Sequence, residues 1–261
     1  MPNKHGDFIW YELMTSDADA ASRFYKSILG WSVAPSEQPD MDYRVFSAGD
    51  EQVGGFMALT ADMTASGAQP CWAGYISVDD VDASVDAIKA AGGSVLMGPS
   101  EVPGVGPFAF VADPQGAIFY VMNDRSGEAS QSFAATEPKI GHCAWNELAS
   151  ANPEASKAFY GEQFGWVQDG DMDMGPLGKY QFWWASEKRF MLGAVMPKMP
   201  EMPVSAWGFY FRVPDIDAAA EAIKVNGGTL FQEPIEIPGG DFSLNASDPQ
   251  GAAFGLVGPR K

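Results

Sequence analysis

Apolar and polar positions alternate in short runs, switch to a helical spacing, and then alternate again; this sequence of patterns recurs four times. Phe8–Met14 reads as a strand. From Asp17 to Leu29 the pairs Phe24/Ile28 and Tyr25/Leu29 stand one helical turn apart. Asp17 can cap the first turn, and Gly30 suits the left-handed position after the last. Strand-like runs follow at Tyr43–Ser47 and Val53–Leu59. A small, polar stretch (TADMTASGAQP) interrupts the pattern, and Trp72–Val78 restarts it. Val81, Val85 and Ile88 mark one face of a second helix ending at Gly92-Gly93, and Val95–Met97, Phe108–Ala112 and Ala117–Met122 read as strands. Asp113-Pro114-Gln115-Gly116 between the last two has the proline and glycine of a type I turn. The order strand–helix–strand–strand–strand therefore occurs twice before residue 125.

It then occurs twice more. Trp10, Glu12 and Leu13 return as Trp145, Glu147 and Leu148; Phe24-Tyr25 as Phe159-Tyr160; Gly30-Trp31 as Gly165-Trp166. Trp72, Tyr75 and Asp80 return as Trp207, Tyr210 and Asp215, and Asp113-Pro114-Gln115-Gly116-Ala117 returns intact at 248–252. Every offset is 135 residues. One register held over so much chain is the mark of a duplication. Residues 125–139 are small, polar and aperiodic and read as a linker, which gives a first domain at 1–124 and a second at 140–261. Asn152 followed by Pro153 starts the second copy's first helix.

Composition narrows the function classes. The chain has 261 residues, enough for two cores, and 46% hydrophobic residues to fill them. Its 34 acidic residues against 16 basic ones give a net charge of −18, which repels phosphate backbones and anionic headgroups; nucleic-acid and membrane-surface partners are excluded. No apolar run is long enough to span a membrane, and the opening MPNKHGDFIWYELM lacks a signal-peptide core, so a cytoplasmic location is expected. Cys71 and Cys143 form no metal or disulfide spacing, and no neighbouring histidine or helix start would activate either thiol.

The helices ASRFYKSILGW and ASKAFYGEQFGW, the helix starts VDDVDA and VPDIDA, and the two DPQGA turns carry a resemblance to the vicinal oxygen chelate superfamily. That superfamily includes glyoxalases, bleomycin-resistance proteins and extradiol dioxygenases. The likeness covers nearly all the chain outside 125–139 and is strongest to its tandem two-domain, glyoxalase-like bacterial members. It implies an α+β fold of four βαβββ units paired into two glyoxalase-like domains, each a curled mixed sheet around a cavity. A tandem chain supplies internally what one-domain relatives obtain by dimerising, so a monomer or homodimer is expected.

The resemblance also implies a divalent metal held by strand residues. Carried over singly, those positions fall on Trp10, Ala73 and Tyr120 in the first copy and on Trp145, Gly208 and Gly255 in the second. Trp, Ala and Gly offer no ligand and Tyr is a rare one, so no metal residues and no cofactor are assigned. Of the two histidines, His5 is expected in a frayed terminus and His142 as a structural residue at a strand start. Strand alternation places Trp10 with Glu12, and Trp145 with Glu147, on inward faces, and adds Tyr75, Tyr120 and Tyr210 from later strands. Glu12 and Glu147 are the candidate general bases; Trp10, Tyr75, Tyr120, Trp145 and Tyr210 are the candidate ligand-binding residues. Alternatively, the two acids are solvated or paired with an arginine such as Arg44 or Arg212, and Tyr75 and Tyr210 are core rings. An aromatic wall with one acid suits a small-molecule ligand that is flat or cationic. Three readings stand: a binder, a glyoxalase-like isomerase or lyase, and a non-catalytic scaffold.

Overall fold

The computed structural model describes residues 3–36 and 42–261. The first copy runs β1 (Phe8–Thr15), α1 (Ala18–Leu29), β2 (Ser32–Pro35), β3 (Tyr43–Ala48), β4 (Glu51–Ala58), α2 (Ala61–Ala65), β5 (Cys71–Ser77), α3 (Val81–Ala90), β6 (Ser94–Val102), β7 (Gly106–Ala112) and β8 (Ile118–Met122). The second runs β9 (Cys143–Ser150), α4 (Pro153–Phe164), β10 (Val167–Asp173), β11 (Lys179–Trp184), β12 (Met191–Pro197), β13 (Ala206–Arg212), α5 (Ile216–Val225), β14 (Thr229–Glu236), β15 (Phe242–Ser247) and β16 (Ala253–Gly258). Four βαβββ modules result, as the pattern predicts. The short, mostly exposed β2 escapes it, and so does α2, one turn capped by Thr60 within the polar break.

The helices begin and end where their chemistry says. Asp17 and Asn152 accept from the amides of Ala20 and Ala155, and Asp80 and Asp215 cap α3 and α5 in the same way. Gly30 and Gly165 close α1 and α4 with φ of 70° and 68°, a conformation that penalises any side chain. Two open eight-stranded mixed sheets form, in the orders β2-β3-β4-β1-β5-β8-β7-β6 and β10-β11-β12-β9-β13-β16-β15-β14. The first and last strands of each module pair in parallel, β1 with β4, β5 with β8, β9 with β12 and β13 with β16. No helix among the described residues is long and apolar enough to cross a membrane.

Compactness does not follow the repeat. One unit, here the middle unit, contains Gly74–Ser130, Trp145–Gly208 and the N-terminal residues up to Ile9; the other, the terminal unit, contains Trp10–Ala73, Phe209–Lys261 and Gln131–Ala144. The same lock holds each. In the middle unit the Tyr160 hydroxyl accepts from Trp207 Nε1 at 3.0 Å and donates to Asp113 Oδ2 at 3.2 Å. Asp113 Oδ1 meanwhile accepts from the amides of Gln115 and Ala117. In the terminal unit Tyr25 accepts from Trp72 Nε1 at 3.0 Å and donates to Asp248 Oδ2 at 3.1 Å, while Asp248 Oδ1 accepts from the amides of Gln250 and Ala252. Burial raises the pKa of both aspartates and holds both tyrosines well above their ordinary value, so the phenols stay protonated as donors. A motif legible only as a hairpin turn thus also carries a buried carboxylate that fixes a helix of another module.

Residues before β1 and β9 are tied down. His5, expected in a frayed terminus, donates from Nε2 to the Gln163 carbonyl at 2.8 Å, because a carbonyl can only accept, and is anchored there. His142 is buried and donates from Nδ1 to the Gln131 carbonyl at 2.6 Å, with Nε2 at 3.1 Å from Glu51. Lys139 reaches the same carboxylate at 2.8 Å, so the segment before β9 is held by charge as well as by backbone.

Candidate functional site

Alternation along β1 puts Trp10 and Glu12 on one face, and in the terminal unit both reach the same hydroxyl. Trp10 Nε1 donates to the Tyr43 hydroxyl at 2.9 Å, and Tyr43 hydrogen-bonds the Glu12 carboxylate. Burial, reinforced by the Glu12 charge, holds the Tyr43 pKa well above the ordinary phenol value, so Tyr43 donates to the acid. Glu12 is only 3% exposed. Neither Arg44 nor Arg212 serves it: Arg44 pairs with Asp19 and Asp42, and Arg212 with Asp241. The neighbouring Cys71 thiol is pushed up to about 11, first by burial and then by the Glu12 charge, so it is a poor nucleophile at neutral pH.

Gly55 makes room for this cluster. It pairs with Glu12 in the β1–β4 register, and a Cβ there would stand 2.2 Å from the Tyr43 hydroxyl. Gly55→Ala is therefore expected to displace Tyr43 from both partners and to cost roughly 1–3 kcal/mol, the penalty of stranding buried polar groups. Urea denaturation measures the loss; an unchanged midpoint would show that the hydroxyl can move without penalty.

The middle unit repeats the arrangement. Trp145 Nε1 donates to the Tyr180 hydroxyl at 2.7 Å, and Tyr180 donates to Glu147 Oε2 at 2.6 Å. Glu147 is more open than Glu12, being half-buried. The tryptophans and acids are separated by 135 residues, but Tyr43 and Tyr180 by 137, because the strand connections differ in length. That offset hides the tyrosines from the duplicate register. Their one legible signal is that each stands near the start of a strand rich in rings, YRVF and YQFW.

The other candidate rings lie differently. In the middle unit Tyr75 stacks on Tyr120 at 4.2 Å and 9°, and Tyr120 stacks on Phe110 at 4.3 Å and 23°. In the terminal unit Tyr210 lies beside Gly255, where a Cβ would meet its ring at 2.3 Å. Within the units, then, Trp10 joins Glu12, Trp145 joins Glu147, and Tyr75 joins Tyr120, while Tyr210 packs against backbone.

The family-type metal does not fit these residues. Trp10 and Trp145 present indole N–H donors already given to tyrosines, and the Gly255 position is covered by the Tyr210 ring. No group of three or more His, Cys, Asp or Glu among the described residues is arranged to hold a metal ion.

Comparison with known proteins agrees with the fold. CFP32 of Mycobacterium tuberculosis (strain CDC 1551 / Oshkosh), which bears a glyoxylase name, is 33% identical over 254 residues, covering 96% of this chain and 94% of that protein. The anthracycline biosynthesis protein DnrV of Streptomyces peucetius is 28% identical, covering 95% and 91%. The Mn(II)-bound glyoxalase from Novosphingobium aromaticivorans superposes with a TM-score of 0.65 at 17% identity, over 99% of this chain and 83% of that one, a likeness of fold. The Glyoxalase/Bleomycin resistance protein/Dioxygenase superfamily model matches residues 8–120 and again 139–256. With both copies matched, the chain belongs to that superfamily.

Proposed function

We propose that the protein binds a small organic molecule against its Trp–Tyr–Glu clusters, with the carboxylate as acceptor or counter-charge and without a metal. The duplicated cluster carries this reading. A carboxylate among aromatic rings costs stability unless its charge is used, and an apolar residue would pack at lower cost. Both copies nevertheless keep it. Glu147, the more open of the two, is the acid a ligand reaches first. An acid flanked by rings suits a flat or cationic molecule. DnrV, a relative named for anthracycline biosynthesis, supports an organic ligand.

A second reading is favoured by CFP32's glyoxylase name: isomerisation or cleavage of a small carbonyl or thiol adduct. Glu12 or Glu147 would take a proton from the carbon beside a carbonyl. What this reading lacks is an electrophile for the developing oxyanion, worth several kcal/mol when a metal supplies it.

Thermal shift of the full chain against flat aromatic and cationic compounds separates the readings. A ligand at 100 times its Kd adds about 2.7 kcal/mol of stability, and Glu147→Gln is expected to remove most of the shift. Lactoylglutathione formation from methylglyoxal and glutathione, lost in both Glu→Gln variants, would favour the enzyme. No shift by any compound and no turnover would leave a scaffold.

A further inference from the structure

The two copies build one strand register with opposite polarity. In the first, one face of β6, β7, β8 and β5 carries the row Met97, Phe110, Tyr120 and Tyr75, and beside it the row Phe108, Met122 and Ser77. In the second, the same face of β14, β15, β16 and β13 carries Gln232, Asn245, Gly255 and Tyr210, and beside them Ser243, Val257 and Arg212. All these equivalents stand 135 residues apart. At the same offset Gly106 becomes Asp241, whose Oδ2 accepts from Arg212 Nη1 at 2.8 Å. A methionine and two phenylalanines thus give way to two amides and a hydroxyl, and a serine and a glycine to an ion pair.

This polar face is open. Gln232, Asn245 and Ser243 are half-buried, yet their side chains make no hydrogen bond among the described residues, and none of their polar atoms is shut off from solvent. Half-buried polar groups without partners cost stability, and the first copy shows that this register accepts apolar residues. Their chemistry selects a ligand. Each amide offers one acceptor and two donors, and the hydroxyl both donates and accepts. The Arg212–Asp241 pair adds donors and an acceptor without net charge; its guanidinium opposes a cation and its carboxylate an anion. A neutral group that donates and accepts at adjacent positions suits the whole set. We propose that Gln232, Asn245, Ser243 and the Arg212–Asp241 pair form a subsite, specific to the second copy, for a vicinal polyol such as a sugar. The proposal rests on the reading that the chain binds small molecules and gives the ligand a hydroxylated part.

Compounds built on one size of ring test it on the full chain: D-glucose, D-galactose, D-mannose and myo-inositol against cyclohexanol, cyclohexanecarboxylate and cyclohexylammonium. NMR titration, read on the side-chain amides of Asn245 and Gln232, is expected to give saturable shifts with at least one polyol. The three comparison compounds are expected to bind roughly tenfold more weakly, the worth of one or two hydrogen bonds. Asn245→Leu and Gln232→Met keep the side-chain shape and remove the amide. Each is expected to weaken the polyol roughly three- to tenfold, read on the amide that remains, and to leave the urea midpoint of the free protein unchanged or raised. Equal binding of cyclohexanol, tighter binding of the carboxylate or the ammonium, or polyol binding unchanged in both variants would overturn the subsite. So would a clear loss of stability in both variants without ligand, which would make the amides structural. No saturable shift with any polyol would overturn it too; if flat aromatic compounds still gave Glu147-dependent thermal shifts, the subsite alone would have failed and the broader reading would stand.

Discussion

Expressed alone, residues 1–124 are expected to give no folded monomer. Tyr25 and Trp72 lie in that half, but the aspartate that completes their lock is Asp248; Asp113 lies there too, but its tyrosine is Tyr160. Cutting the chain at the repeat boundary leaves buried hydrogen-bonding groups of both locks without their partners. It also exposes apolar surface that each module buries against a module of the other half. Duplication supplies one escape. Asp113 and Asp248 occupy equivalent DPQGA turns, so two copies of 1–124 can offer each other Tyr25 and Asp113. Sedimentation velocity and circular dichroism should find either an unfolded chain or a folded dimer. A folded monomer melting within a few degrees of the full protein would refute the argument that the locks and the packing between halves are what hold the modules.

Tyr160→Phe is expected to cost about 2–5 kcal/mol. The substitution keeps the ring and removes one oxygen, leaving Trp207 Nε1 without its acceptor and Asp113 Oδ2 without its donor, both buried. Each stranded group costs about 1–3 kcal/mol. A cycle with Asp113→Asn should show strong coupling, since the two side chains share one bond. The pH dependence has a definite sign. Burial lifts Asp113 above the ordinary carboxyl value, so the folded chain takes up this proton at a higher pH than the unfolded one. That group therefore subtracts from stability at neutral pH and returns it as pH falls through the folded-state value. The Tyr160 hydrogen bond restrains the shift, so Tyr160→Phe should widen that window. Urea denaturation at a series of pH values measures both effects; a variant less stable by under about 0.5 kcal/mol would mean that water or a neighbour replaces the hydroxyl.

Much of the fold was legible because duplication lets each element be read twice. The caps at Asp17 and Asn152, the glycines after α1 and α4 and the DPQG turns carry local signals that do not depend on the tertiary structure. The short β2 is mostly exposed and has no alternation to give it away. At the candidate site, alternation alone united Trp10 with Glu12 and Trp145 with Glu147. Tyr43 and Tyr180 stayed hidden because they come from a separate strand and break the 135-residue spacing. An arginine as the partner of each acid was a fair expectation from charge. The acids instead take a tyrosine hydroxyl, a neutral donor whose cost of burial is smaller than that of a guanidinium.

The discontinuity of the terminal unit has a consequence for synthesis. A ribosome finishes Trp10–Ala73 well before it reaches Phe209–Lys261, while Gly74–Ser130 and Trp145–Gly208 emerge almost in succession. At about 5–20 residues per second, the first-made module waits roughly ten to thirty seconds for its partner. During that delay Tyr25 has no Asp248, and the apolar face of α1 has nothing from the last module to cover it. The module made before the other three is thus the last to be completed, and the face of α1 stays uncovered for the whole of that delay.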